Sequence, residues 1–77
     1  MTFLAQLSLI FRIDGLIRRK STGTASHLAQ KLNTSRSSVY RYLDLLRNLG
    51  ATIEYCHQRQ SYFYTEAFEL DLNGVVA

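Results

Sequence analysis

Seventy-seven residues without proline, 47% of them hydrophobic, make one small folded domain and leave no room for a catalytic cleft of ordinary size beside the core. The net charge of +3 is unevenly spread: residues 1–50 hold eight bases against Asp14 and Asp44, a balance of +6, and residues 51–77 hold Arg59 against four acids, a balance of −3. Such asymmetry points to a cationic face that meets a polyanion; a solvated surface that happens to be basic is the plainer alternative.

Taken in chain order, Phe3, Leu7, Ile10, Asp14 and Ile17 lie along one helical row, flanked by Leu4, Phe11 and Ile13. The row predicts a first helix over about residues 3–19, with Thr2 as its N-cap and Gly15 as a weak point costing about 1 kcal/mol against alanine. Arg18, Arg19 and Lys20 close it, where cations favour the negative end of the helix dipole. The opening MTFLAQLSLIFR is apolar, but it lacks a basic leader region, is interrupted by Gln6 and Ser8, and carries no small-residue cleavage site. It is also too short to span a bilayer. One cysteine excludes an internal disulfide and fits a reducing compartment, so the expected location is cytoplasmic, with no membrane partner.

After the loop Ser21–Thr24, in which Thr24 suits an N-cap, Ala25, Leu28, Ala29 and Leu32 fall at i, i+3, i+4, i+7 and predict a helix over about 25–32. Asn33 suits the left-handed residue that ends it, and Ser35 suits the N-cap of the next. Val39, Leu43, Leu46 and Gly50 restart the spacing and predict a third helix over about 36–49, stopped by Gly50. Two amphipathic helices joined by so short a turn form a helix-turn-helix. The period then changes. Ile53, Tyr55 and His57 alternate with Glu54 and Cys56, Tyr62–Thr65 supplies a second aromatic run, and Gln58-Arg59-Gln60 lies between them as a hairpin tip. The wing is thus expected over about 52–66. A tail over 67–77, with Phe68, Leu70 and Leu72 alternating with Glu69 and Asp71, reads as a short strand or an extended segment covering the core. The expected fold is mainly α with a small β-hairpin: a single winged helix-turn-helix domain over residues 1–77, a three-helix bundle plus a β-wing.

LAQKLNTSRSSVYRYLDLLRNLGATIEY resembles the N-terminal winged helix of DeoR-type and WYL-type bacterial transcription regulators. Their motif runs roughly L-A-x-x-L-x-V-S-x-x-T-V-x-R-D-L-x-x-L-x-x-x-G. Leu28, Ala29, Leu32, Ser35, Val39, Arg41, Leu43, Leu46 and Gly50 match it, and Ser38 stands for its threonine. Tyr62 and Tyr64 fall where the family often has a Gly-Tyr-x-Leu strand. The likeness covers about residues 10–66. Tyr42 replaces the family's aspartate and Thr34 its valine, so the aspartate's role is not carried over. Regulators of that family continue into a ligand-binding or WYL domain, which implies either a domain that stands alone or the front of a longer regulator.

The third helix should expose Ser35, Arg36, Ser37, Tyr40 and Arg41 in its N-terminal half, the part of a helix-turn-helix that enters the major groove. Arginine binds guanine O6 and N7 bidentately, which makes Arg36 the first base-reading candidate, with Ser37 and Tyr40 next. Arg41 suits phosphate equally, and Ser35 is a cap that also lies within reach of phosphate. Ser26 and His27, at the start of the second helix, are candidates for the backbone the helix crosses. Arg59 is the candidate at the wing tip; a solvated helix end is the default for Arg18, Arg19 and Lys20. Cys56 and His57 have no metal-ligand spacing, and no Gly-x-Ser-x-Gly elbow or glycine-rich loop is present, so neither catalysis nor a cofactor is expected.

The expected function is DNA binding in transcriptional regulation, with double-stranded DNA as partner. The rival is a protein-interaction adaptor of the same fold, anchored by Tyr40, Tyr62 and Tyr64. Phe3, Leu4, Leu7, Ile10 and Phe11 exceed what one face of a small core buries. They are expected to pack against a second copy as a homodimer, unless the alternating tail folds back over them.

Overall fold

The structure, a computed structural model, describes residues 3–70. Three helices, α1 (Phe3–Arg18), α2 (Ala25–Lys31) and α3 (Arg36–Asn48), precede an antiparallel hairpin of β1 (Ile53–Cys56) and β2 (Ser61–Tyr64). This is the winged helix-turn-helix that the change of period implies.

Each helix stops one residue earlier than expected, because Arg19, Leu32 and Leu49 belong to the closing turn. All three ends use the same device. The N–H groups of Ser21, Thr34 and Ala51 return five residues to the carbonyls of Leu16, Ala29 and Leu46, at 3.0, 2.9 and 3.0 Å. The residue before each is left-handed: Lys20 (φ 55°), Asn33 (φ 54°) and Gly50 (φ 109°). Asn33 and Gly50 take the roles read from the sequence. Lys20 is the exception, since it lies outside the helix that it was expected to close. At the other ends, Thr24 Oγ1 accepts from the His27 N–H at 3.2 Å and Ser35 Oγ from the Ser38 N–H at 3.1 Å. The N-cap expected at Thr2 lies outside the described residues.

Helical spacing delivers the core. Ile10, Ile13 and Ile17 of α1 meet Leu28, Ala29 and Leu32 around α2 and Val39, Leu43 and Leu46 of α3, and Ala51, Ile53 and Tyr62 close the cluster. Ile13, expected on a flank, is fully buried, and Asp14 is buried on the same row. Among the described residues, no helix is long and apolar enough to cross a membrane.

In the wing, Ile53 pairs with Tyr64, Glu54 with Phe63, Tyr55 with Tyr62 and Cys56 with Ser61. His57, expected inside the first strand, instead opens a turn over 57–60 that closes at Gln60 with φ 50°. The free edge of β2 is held by Thr22, a loop residue with no exposed surface. Its hydroxyl accepts from the Tyr62 N–H at 2.9 Å, and its own N–H donates to Ser61 Oγ at 3.1 Å. One threonine thus does the work of a third strand. Thr22→Val keeps the shape but leaves the buried Tyr62 N–H without its acceptor. It should lower stability by about 1–3 kcal/mol, read as a shifted urea midpoint at unchanged slope. An unshifted midpoint would remove Thr22 from this role.

A second long-range tie lies at the other end of the hairpin. Asp14 accepts from Arg18 Nε at 2.9 Å and from the Tyr64 hydroxyl at 2.6 Å. The Arg18 guanidinium lies over the Tyr64 ring, 5.8 Å from its centroid, and also donates to the Phe68 carbonyl. The Phe68 ring packs on Tyr64 at 5.2 Å, and Leu70 also reaches the core. The described part of the tail thus packs Phe68 and Leu70 against the core and forms no strand. Leu72 and the rest of 71–77 lie outside the described residues. Leu4 and Phe11 stay 75% and 38% exposed.

Candidate nucleic-acid interface

The apolar positions of α3 decide which of its residues face outward. Val39, Leu43 and Leu46 bury one side, and Arg36, Ser37, Tyr40 and Arg41 are left exposed on the first two turns. Ser35 is exposed just ahead of them, its Oγ committed to the cap by bonds to the Ser38 N–H and, at 3.1 Å, the Ser38 hydroxyl. The helix opens without an acid in its first turn, so its positive end and Arg36 add to one field. The five candidate residues from this stretch are thus brought together on one surface.

The other candidates frame it. Ser26 and His27 are exposed on the first turn of α2. His27 is seated by Gly23, whose backbone is left-handed (φ 75°) and whose missing side chain leaves the space: a Cβ there would stand 2.8 Å from the His27 Cβ. Arg59 is exposed in the wing turn, beside His57. His57 packs edge-on against Tyr55 with ring centroids 5.0 Å apart. Its position at the tip was hidden in the sequence by alternation that runs one residue past the strand.

The cations divide by engagement. Arg18 is tied to Asp14, and that hydrogen bond is the main cause that pushes its pKa up. Arg12 donates to the Lys31 carbonyl at 3.3 Å and Lys31 to the Ser21 carbonyl at 2.7 Å. Arg47 joins Asp44 at 3.1 Å and the Ile53 carbonyl at 3.2 Å, which makes it a strut between α3 and β1. The side chains of Arg19, Lys20, Arg36, Arg41 and Arg59 make no hydrogen bond or ion pair among the described residues, and of these Arg36 and Arg41 lie on α3 and Arg59 in the wing turn. The bases that fold the chain and the bases free to meet an anion are different residues.

Of the three tyrosines that an adaptor surface would need, two are spent inside the fold. Tyr62 is 9% exposed, and burial first, then the neighbouring tyrosines Tyr40 and Tyr55, pushes its hydroxyl pKa up. Tyr64 is half-buried on Asp14, and burial followed by that hydrogen bond raises its pKa further. Only Tyr40, 51% exposed, stays available.

This fold and surface define a helix-turn-helix domain of the DNA-binding kind. Compared with protein-family models, residues 7–59 match the model described as HTH domain, more than half of the chain, and the chain belongs to that family. No curated protein matches the chain, and no solved structure does.

Proposed function

We propose that the chain is a sequence-reading module of transcriptional regulation, of the kind found in DeoR-type and WYL-type regulators, acting in the cytoplasm on double-stranded DNA. The N-terminal half of α3 enters the major groove, where Arg36 reads guanine and Ser37 and Tyr40 contact neighbouring bases or sugars. Arg41 and Ser35 take phosphate. Ser26 and His27 meet the backbone on one side of the groove, and Arg59 meets the flanking backbone or the minor groove from the wing. The observation that carries this reading is the pair Arg36 and Arg41: both exposed on the first two turns of α3, with no ion pair to either among the described residues. Leu4 and Phe11, large apolar side chains left exposed on α1, support pairing of two copies.

Selection from a randomised duplex pool tests both parts. A recurrent motif is expected, and pairing through α1 gives it two-fold symmetry. A motif without symmetry would retire the dimer and keep the base reading. A folded protein that retains no DNA, or retains the pool without enrichment, would overturn sequence reading altogether.

A further inference from the structure

A two-stranded hairpin has two open edges, and here each is held by a different element. Thr65 donates its N–H to the Thr52 carbonyl at 2.9 Å, which makes that opposed pair a hydrogen-bonded one. Pairs alternate along an antiparallel ladder, so Ile53 opposite Tyr64 and Tyr55 opposite Tyr62 turn their N–H and C=O groups outward. Thr22 takes the outward Tyr62 N–H on the β2 edge. On the β1 edge, the outward Ile53 carbonyl accepts from Arg47 Nη2 at 3.2 Å. Arg47 lies in the last turn of α3, and its Nη1 is held at 3.1 Å by Asp44, one turn back on the same helix. One guanidinium fork thus joins the end of α3 to the foot of the wing.

Ile53 stands at that foot and Arg59 in the turn at the tip. At about 3.3 Å per residue, Cys56 is already about 10 Å along β1 from Ile53, and the turn lies beyond it. A tilt of about 10° at the foot moves the tip by about 2 Å, more than a hydrogen bond to phosphate tolerates.

We infer that Arg47 is a positioning residue for DNA binding: by fixing the foot of β1 to α3, it carries Arg59 to the flanking backbone when α3 lies in the major groove. The reach of the wing is then set from the helix that reads bases, by a residue that itself touches no DNA. The physical reason is pre-organisation, since a tip already held in place does not have to be ordered on binding. This rests on the DNA reading above and deepens it.

The test compares wild type, Arg47→Gln, Arg59→Ala and the double variant on two probes, the selected motif with flanking duplex on both sides and the same motif trimmed of its flanks. Thermal unfolding checks that each variant is folded. On the flanked probe each single change should weaken binding about three- to tenfold. On the trimmed probe neither should, because the backbone that the wing meets is gone. The double variant should lose no more than the larger single loss, since both changes remove the same wing contact. Arg47→Lys keeps the charge but not the two-pronged fork, so it should show the flank-specific loss too. It also decides the matter if Arg47→Gln does not fold. An equal loss on both probes would make Arg47 a structural residue, and additive losses in the double variant would make it a direct DNA contact. Either result, an Arg47→Lys variant that matches wild type, or no loss at Arg47 or Arg59, would overturn the assignment and leave base reading by α3 in place. Wild type that binds neither probe at low salt would overturn it together with the DNA reading.

Discussion

Asp14→Ala is expected to lower the stability of the fold by about 2–3 kcal/mol. The carboxylate is buried and serves two donors, Arg18 Nε and the Tyr64 hydroxyl. Truncation leaves the half-buried hydroxyl without its charged acceptor. Arg18 loses less, because its side chain is 43% exposed and water takes over its charge. In a domain this small, which sits at the low end of ordinary stabilities, the loss is a large fraction of the whole. Asp14→Leu, which removes the carboxylate and fills the space, should cost less than alanine. Tyr64→Phe should share most of its effect with Asp14→Ala in a double-mutant cycle. The tyrosine also sets an alkaline limit. Its pKa is raised in the folded chain, so the stability from its neutral form is whole below about pH 10, the usual tyrosine value, and is lost as pH rises through the folded value. Tyr64→Phe should flatten that loss. Urea titrations at pH 7 and above pH 10 check both statements, and an Asp14→Ala midpoint within 0.5 kcal/mol of wild type, roughly a surface effect, would contradict them.

The second large effect concerns recognition. Arg36→Ala should weaken binding to the selected duplex by about 1–3 kcal/mol and broaden the bases accepted at one position of the motif. Arg36 is exposed on the first turn of α3 and makes no side-chain hydrogen bond or ion pair among the described residues, so the substitution should act on the proposed base contact and leave stability alone. Titration of duplexes varied at single positions gives the measurement. A loss of equal size on every sequence would reassign Arg36 to phosphate contact, and the base-reading role would pass to Ser37 and Tyr40.

What was legible in the sequence is what local geometry controls. Helical spacing named most of the core, and Thr24, Asn33, Ser35 and Gly50 marked helix ends because capping depends on neighbours three or four residues away. The exposed residues of α3 follow from the same spacing. Contacts across the fold were not legible. Asp14 shows itself as an acid on an apolar row, but Tyr64, fifty residues away, cannot be picked as its partner. Thr22 reads as one polar residue in a polar loop, and its burial depends on Ser61 and Tyr62 arriving beside it. Lys20 in the left-handed region goes against residue preference and has no local signal. Tyr62 and Tyr64 looked like anchors for a partner because aromatic strands are ambiguous until one knows which face is buried.

Salt tests directly whether the basic surface led by α3 meets duplex DNA as proposed. Affinity for a random duplex should be measured from low to physiological salt, wild type beside the double variant Arg36→Ala, Arg41→Ala. With about 4–6 phosphates neutralised, log K should fall against log salt with a slope on the order of −4 to −5. The double variant should bind more weakly, with a slope shallower by about 2. A folded wild type that does not bind at low salt, or a variant that matches it in affinity and slope, would contradict the account.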